Sequence, residues 1–142
     1  MATTTAVPKT KISGGSFLLE SRRTDEVFTP EDFSEQQQLI GQTTEEFAVN
    51  EILPNVEKIE HKDFSVSRAL LKKAGELGLS GVEIPEAYGG LEMDKVTAAV
   101  IADHIAKYAG FATTWGAHSG IGMLPIVYFG TEEQKNKYLP RL

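Results

Sequence analysis

At 142 residues, with 20 acidic against 14 basic side chains and a formal charge of -6, the chain is repelled by phosphate backbones and anionic bilayers, which argues against a nucleic-acid partner. It has no cysteine, which excludes disulfides, thiolate catalysis and the usual structural zinc, and no apolar run nears the ~18 residues of a membrane span. The length fits one core-forming domain and is short for an enzyme that carries its own cofactor fold.

The opening MATTTAVPKTKISGGSFLL has no acid, several Thr and two Lys, a faint likeness to an organelle transit peptide. Pro8 and Gly14-Gly15 interrupt any amphipathic helix, and Phe17-Leu18-Leu19 is too short for a secretory core, so residues 1–30 read as a flexible or extended arm. From about Pro30 the periodicity is helical, which places a helical domain over 31–142. Ser34 and Gln37 stand at capping-box spacing, and Ile40, Phe47, Ala48 and Ile52 share one face until Pro54 ends or kinks the helix near Leu53. A second helix is expected from Ser65 or Ser67, with Val66, Leu70, Leu71, Ala74 and Leu77 inward and Gly78 as a left-handed stop.

The glycine-rich stretch from Gly78 to Asp94 predicts a turning loop in which Leu79, Val82 and Ile84 seek cover. Asp94 is placed to cap a third helix, with Thr97, Val100, Ile101, Ile105 and Tyr108 on one side and Gly110 as its stop. Gly116, Gly120 and Gly122 punctuate a fourth helical stretch that Pro125 kinks and Phe129-Gly130 closes. A helix-interior glycine costs about 1 kcal/mol against alanine, so three of them predict that something approaches this backbone closely. Thr131 and Gln134 form a second capping-box pair opening a short helix stopped by Pro140, and the ending at Leu142 reads as a cut within a longer protein. Without strand alternation or an internal repeat, the fold class is all-α, a helical bundle.

Most sites suggested by residue type fail on spacing. His61, His104 and His118 fall in three segments without a compact ligand pattern, and Ser80 in GLSGV lacks both the G-x-S-x-G elbow and a preceding strand. The acidic pairs Glu31-Asp32, Glu45-Glu46 and Glu132-Glu133 suit helix starts or solvated faces, and G-x-x-x-G-x-G from Gly116 to Gly122 is neither a P-loop nor a dinucleotide fingerprint.

Taken together, LGLSGVEIPEAYGGL (Leu77 to Leu91), the helix after it and AHSGIGMLPIVYFGTEEQKNKYLPRL (Ala117 to Leu142) resemble the amino-terminal helical domain of the FAD-dependent acyl-CoA dehydrogenases. The likeness runs from roughly Asp32 to Leu142, and GAHSGIG with DEVFTPEDFSEQQ leans toward the very-long-chain branch. The resemblance implies a parent enzyme in fatty acid β-oxidation that converts fatty acyl-CoA to 2-enoyl-CoA; the alternatives are a stand-alone helical module that binds an acyl lipid or a protein, and the same domain of a related flavin oxidase or monooxygenase. It implies FAD, an electron-transferring flavoprotein as acceptor and a homo-oligomer, located in the bacterial cytoplasm or mitochondrial matrix. Most flavin contacts and the glutamate base belong to β and carboxy-terminal helical domains that this chain lacks, so no catalytic, cofactor or metal residue is assigned here and the chain alone is expected to be inactive. By resemblance, the helix from Thr113 to Ile126 borders the acyl cavity. Gly116, Ala117 and Gly120 are then expected to set the pocket's depth, and Ile121 to give it an apolar surface.

Overall fold

The computed structural model describes residues 15–142, which form part of one unit ending at Ser34 and all of a second, Glu35–Leu142. The Thr- and Lys-bearing opening through Gly14, expected to be a loose arm, lies outside the described residues. The first unit has three short 3₁₀ turns, Ser16–Leu18, Thr24–Glu26 and Pro30–Asp32. The last turn is closed by the Thr29 amide donating to the Asp32 carboxylate at 3.1 Å.

The second unit is built of seven helices, α1 (Glu35–Phe47), α2 (Val56–Glu60), α3 (Phe64–Glu76), α4 (Lys95–Ala106), α5 (Ala109–Gly116), α6 (Leu124–Phe129) and α7 (Glu132–Tyr138), with no strand among the described residues. Two of the joints between helices share one cause. A π-helical turn at Ala48–Ile52 precedes Pro54, and another at Ala117–Met123 precedes Pro125. Each proline lacks an N–H for the carbonyl four residues back and presses its ring against it, and widening the turn by one residue relieves both faults. The bend expected near Leu53 is therefore a passage through π and 3₁₀ turns (Leu53–Asn55) into α2.

The caps follow the side chains present. Asp94 accepts from the Thr97 amide at 2.9 Å, starting α4, and Thr131 and Gln134 complete the box that starts α7. Helix α3 begins earlier than Ser65, because Asp63 accepts from the Ser65 and Val66 amides at 3.0 and 3.4 Å. Gly78 ends the run in the left-handed region at φ 77°, after which Leu79 turns into the core. Leu77 is 44% exposed rather than inward, since that reversal hands the buried position to Leu79. Gly110 is not the stop of α4. It lies within α5, where a Cβ would meet Ile59 Cγ2 at 3.0 Å and Glu60 Oε1 at 2.8 Å, so its bareness lets α2 approach α5.

The main core gathers Phe47, Ile52, Ile101, Ile105, Phe111 and Trp115 with Leu70, Leu79 and Val82, and the Phe47 and Phe111 rings meet edge-on at 5.9 Å. Gly41 brings α1 against Val100 and His104 of α4. A polar tie flanks that seam, with Glu45 contacting His104 Nδ1 at 2.9 Å and accepting from Lys107 Nζ at 2.9 and 3.0 Å. A smaller core of Ile84, Met123 and Leu139, backed by Tyr88, Ile126 and Val127, fastens the glycine-rich loop to α6 and the residues after α7.

Candidate functional site

The stretch from α5 through the π-helical turn to α6 is anchored on one side and bare on the other. Phe111, Trp115 and Met123 are buried, which fixes the inner face. On the outer side Ala117 and Pro125 are exposed, Ile121 is 79% exposed, Tyr128 57% and Phe129 86%. Ala117, Ile121 and Pro125 recur four apart and Phe129 four beyond, so the exposed groups form an apolar stripe about three turns long.

Polar side chains near the stripe are folded back onto their own helix. Thr113 Oγ1 donates to the Ala109 carbonyl at 3.0 Å, Thr114 Oγ1 to that of Gly110 at 3.0 Å, and Ser119 Oγ to that of Trp115 at 2.8 Å. Each satisfied hydroxyl offers little to a ligand, leaving a wall that favours apolar contact.

Gly116 and Gly120, like Gly75 in α3, differ from the helix glycines that seat a neighbour. A Cβ on either would meet nothing within 4 Å, whereas one on Gly41 or Gly110 would press on a neighbouring helix. Among the described residues, the Cβ direction at the half-buried Gly116 and Gly120 is therefore open. Their four-residue spacing leaves open space on the same helix as Ile121 and Ala117, so all four candidate residues lie on one segment.

Behind this wall the IPEAYGG loop is fixed in place. Gly89 takes φ 88°, and a Cβ on Gly90 would lie 2.1 Å from the Ile84 carbonyl oxygen. Tyr88 Oη donates to Glu132 Oε2 at 2.7 Å, tying the loop to α7. That hydrogen bond holds the Glu132 carboxyl below its usual range and pushes the Tyr88 phenol up. Lys95 pairs with Glu83 and lies over the Tyr128 ring at 5.6 Å, joining α4 to the loop and to α6.

The glycine run does not fit a flavin diphosphate. Gly120 and Gly122 lie inside a π-helical turn, where N–H groups are directed along the helix, and not on a loop that fans them toward a ligand. A separate cavity of about 840 Å³ opens between α3, the glycine-rich loop and the last residues of the chain, and none of the four candidate residues lines it. The sequence offered no single motif for this cavity, because its lining is drawn from segments far apart along the chain.

A family model described as acyl-CoA dehydrogenase, N-terminal domain, matches residues 34–142. A probable acyl-CoA dehydrogenase of Bacillus subtilis is 50% identical over 129 residues, covering 91% of this chain and 22% of that protein. The mitochondrial isovaleryl-CoA dehydrogenase of Solanum tuberosum is 33% identical over 112 residues, covering 78% of this chain and 27% of its own length. Among solved structures, an acyl-CoA dehydrogenase complexed with FAD from Bacillus anthracis superposes with a TM-score of 0.83 at 57% identity, over 89% of this chain and 22% of that one. A structure described as the electron transferring flavoprotein of Acidaminococcus fermentans matches with a TM-score of 0.67 at 34% identity, over 79% of this chain and 30% of that one. The chain thus spans under a third of the length of each of these proteins.

Proposed function

The chain belongs to the acyl-CoA dehydrogenase family as its N-terminal domain, and from that premise we propose that it forms one wall of the acyl-chain pocket of an FAD-dependent parent enzyme. The parent oxidises fatty acyl-CoA to 2-enoyl-CoA in fatty acid β-oxidation. Flavin, when bound, supplies the redox chemistry, and this domain supplies an apolar boundary for the substrate tail.

The observation that carries the reading is the unoccupied space over Gly116 and Gly120 beside an outward-facing Ile121. A buried methylene gains about 0.8 kcal/mol, so a deep slot rewards long tails as long as nothing projects into it. Gly116, Ala117 and Gly120 project one carbon or none, which leaves depth, and Ile121 supplies apolar contact. These features support a long-chain substrate, in keeping with the very-long-chain lean of the sequence. The isovaleryl-CoA dehydrogenases among the relatives support a second reading, a short branched acyl group.

Electrons pass to an electron-transferring flavoprotein and the complete enzyme is a homo-oligomer. The Bacillus relatives support a cytoplasmic setting, the plant and animal ones a mitochondrial matrix. No helix among the described residues is long and apolar enough to cross a membrane.

The test is Gly120→Leu in the complete parent, assayed on palmitoyl-, octanoyl- and isovaleryl-CoA. The expected outcome is a selective loss on palmitoyl-CoA; unchanged relative rates would remove the wall assignment, and a wild-type preference for isovaleryl-CoA would favour the second reading. The purified 142-residue chain is expected to be colourless and without dehydrogenase activity.

A further inference from the structure

We propose that Lys95 is a positioning residue for the acyl wall: held by Glu83, it fixes the ring of Tyr128 and so the direction in which α6 turns its apolar face. This role rests on the acyl-wall function proposed above, and it gives that wall a specificity-determining residue outside the helices that form it.

Lys95 opens α4, where its charge opposes the partial positive charge of the helix N-terminus. Two groups answer it. The Glu83 carboxylate, 17% exposed on the glycine-rich loop, pairs with the ammonium, which stands 5.6 Å from the centroid of the Tyr128 ring. Glu83 first and the Tyr128 hydroxyl second hold the Lys95 ammonium above its usual range. One cation therefore ties the loop, the start of α4 and the end of α6, three segments far apart along the chain.

Helix α6 is the part of the wall that needs such a tie. It has six residues, no side-chain cap at its start, and a π-helical turn before it. Ile126 and Val127 hold its inner side against the small core, but apolar contact is non-directional and fixes rotation about the helix axis only weakly. Tyr128 supplies the second point of attachment. It follows Pro125 by three residues within α6, which puts both on one face. Although Tyr128 is exposed, its ring meets both the Lys95 ammonium and the Phe129 ring, whose centroid is 6.3 Å away. A wall already held in direction loses less freedom when a tail settles on it, and a long tail touches more of that wall than a short one.

The experiment measures kcat and KM of the complete parent on palmitoyl- and octanoyl-CoA. Lys95→Met, which keeps the length and removes the charge, should raise KM for palmitoyl-CoA about fivefold, the scale of an exposed cation–π contact, with kcat and the octanoyl-CoA KM unchanged. Lys95→Arg retains the cation and should restore the wild-type KM. Glu83→Gln should reproduce the Lys95→Met change, and the double variant should add little to either, because the two act as one unit. Lys72→Met, which removes a cation from α3, should alter neither KM. An unmoved palmitoyl-CoA KM in Lys95→Met, equal losses on both substrates, or no rescue by arginine would each overturn the assignment. Gly120→Leu separates this role from the wall itself. A shift in chain-length preference there, with none in Lys95→Met, would keep the wall and remove Lys95 from it, whereas no shift in either would remove both.

Discussion

Replacing Gly116 and Gly120 together by alanine separates a glycine kept for folding from one kept for space. Alanine is better than glycine inside a helix by about 1 kcal/mol per position, partly because it restricts the unfolded chain. That gain survives only where the added methyl finds room, and at both positions a Cβ would meet nothing within 4 Å. The double variant of the 142-residue chain should therefore be about 2 kcal/mol more stable, which at this size raises the melting temperature by about 8 °C. Urea unfolding followed by circular dichroism should show the midpoint rising without a change in slope. In the complete parent the same two methyls intrude on the proposed tail slot, so relative turnover on the longest substrates should fall while stability rises. A stability that is unchanged or lower would refute the reasoning, because it would mean these positions meet atoms that the open face does not reveal.

Gly90→Ala should act in the opposite direction. With the Ile84 carbonyl oxygen 2.1 Å from the added carbon, the loop must shift and disturb the Glu92 amide bond to that oxygen at 2.9 Å, a loss of about 3 kcal/mol or more by urea titration. A loss under about 1 kcal/mol would contradict the packing described. Asp94→Ala should cost about 1 kcal/mol at neutral pH through the lost cap. The Thr97 hydroxyl, the Thr97 amide and Gln37 hold the Asp94 carboxyl below its ordinary 3.8, so its contribution is complete above that value and is lost as pH falls through the lower folded value. Acid titrations of wild type and variant should converge below pH 3.8, and a constant gap down to the acid limit would disprove the link.

Residues whose role is local were legible from the sequence, and residues whose role is tertiary were not. Asp94, Thr131 and Gly78 act through their own backbone neighbours, and their spacing disclosed a cap, a box and a left-handed stop. Gly110 carries the same local signal as a stop, yet its use is set by Ile59 and Glu60, some fifty residues upstream. Leu77 fits the apolar period of α3, but the reversal at Gly78 decides that Leu79 goes in instead. Asp63 was legible in principle, standing before Phe64-Ser65-Val66 as a good cap. The helix beyond Pro54 was hidden, because a proline signals a break and leaves the conformation after it open. At the candidate wall, the glycines suggested that something approaches the backbone closely; that a Cβ on Gly116 or Gly120 would meet no neighbouring part of the domain is a tertiary fact the helical period cannot express. The folded-back hydroxyls of Thr113, Thr114 and Ser119 were likewise unreadable, since a Thr in a helix can turn to solvent or to its own carbonyls.

The π-helical turn at Ala117–Met123 makes residue count a determinant of the molecule. It stores one surplus residue, and deleting a single position there would let the segment relax to ordinary α winding. Everything downstream would then swing by about 100°, one α-helical step. Ile126 and Val127 would leave the small core while Tyr128 and Phe129 rotated toward it. Length along this stretch should therefore be far less negotiable than side-chain identity, with one-codon deletions more damaging than most substitutions at the same positions.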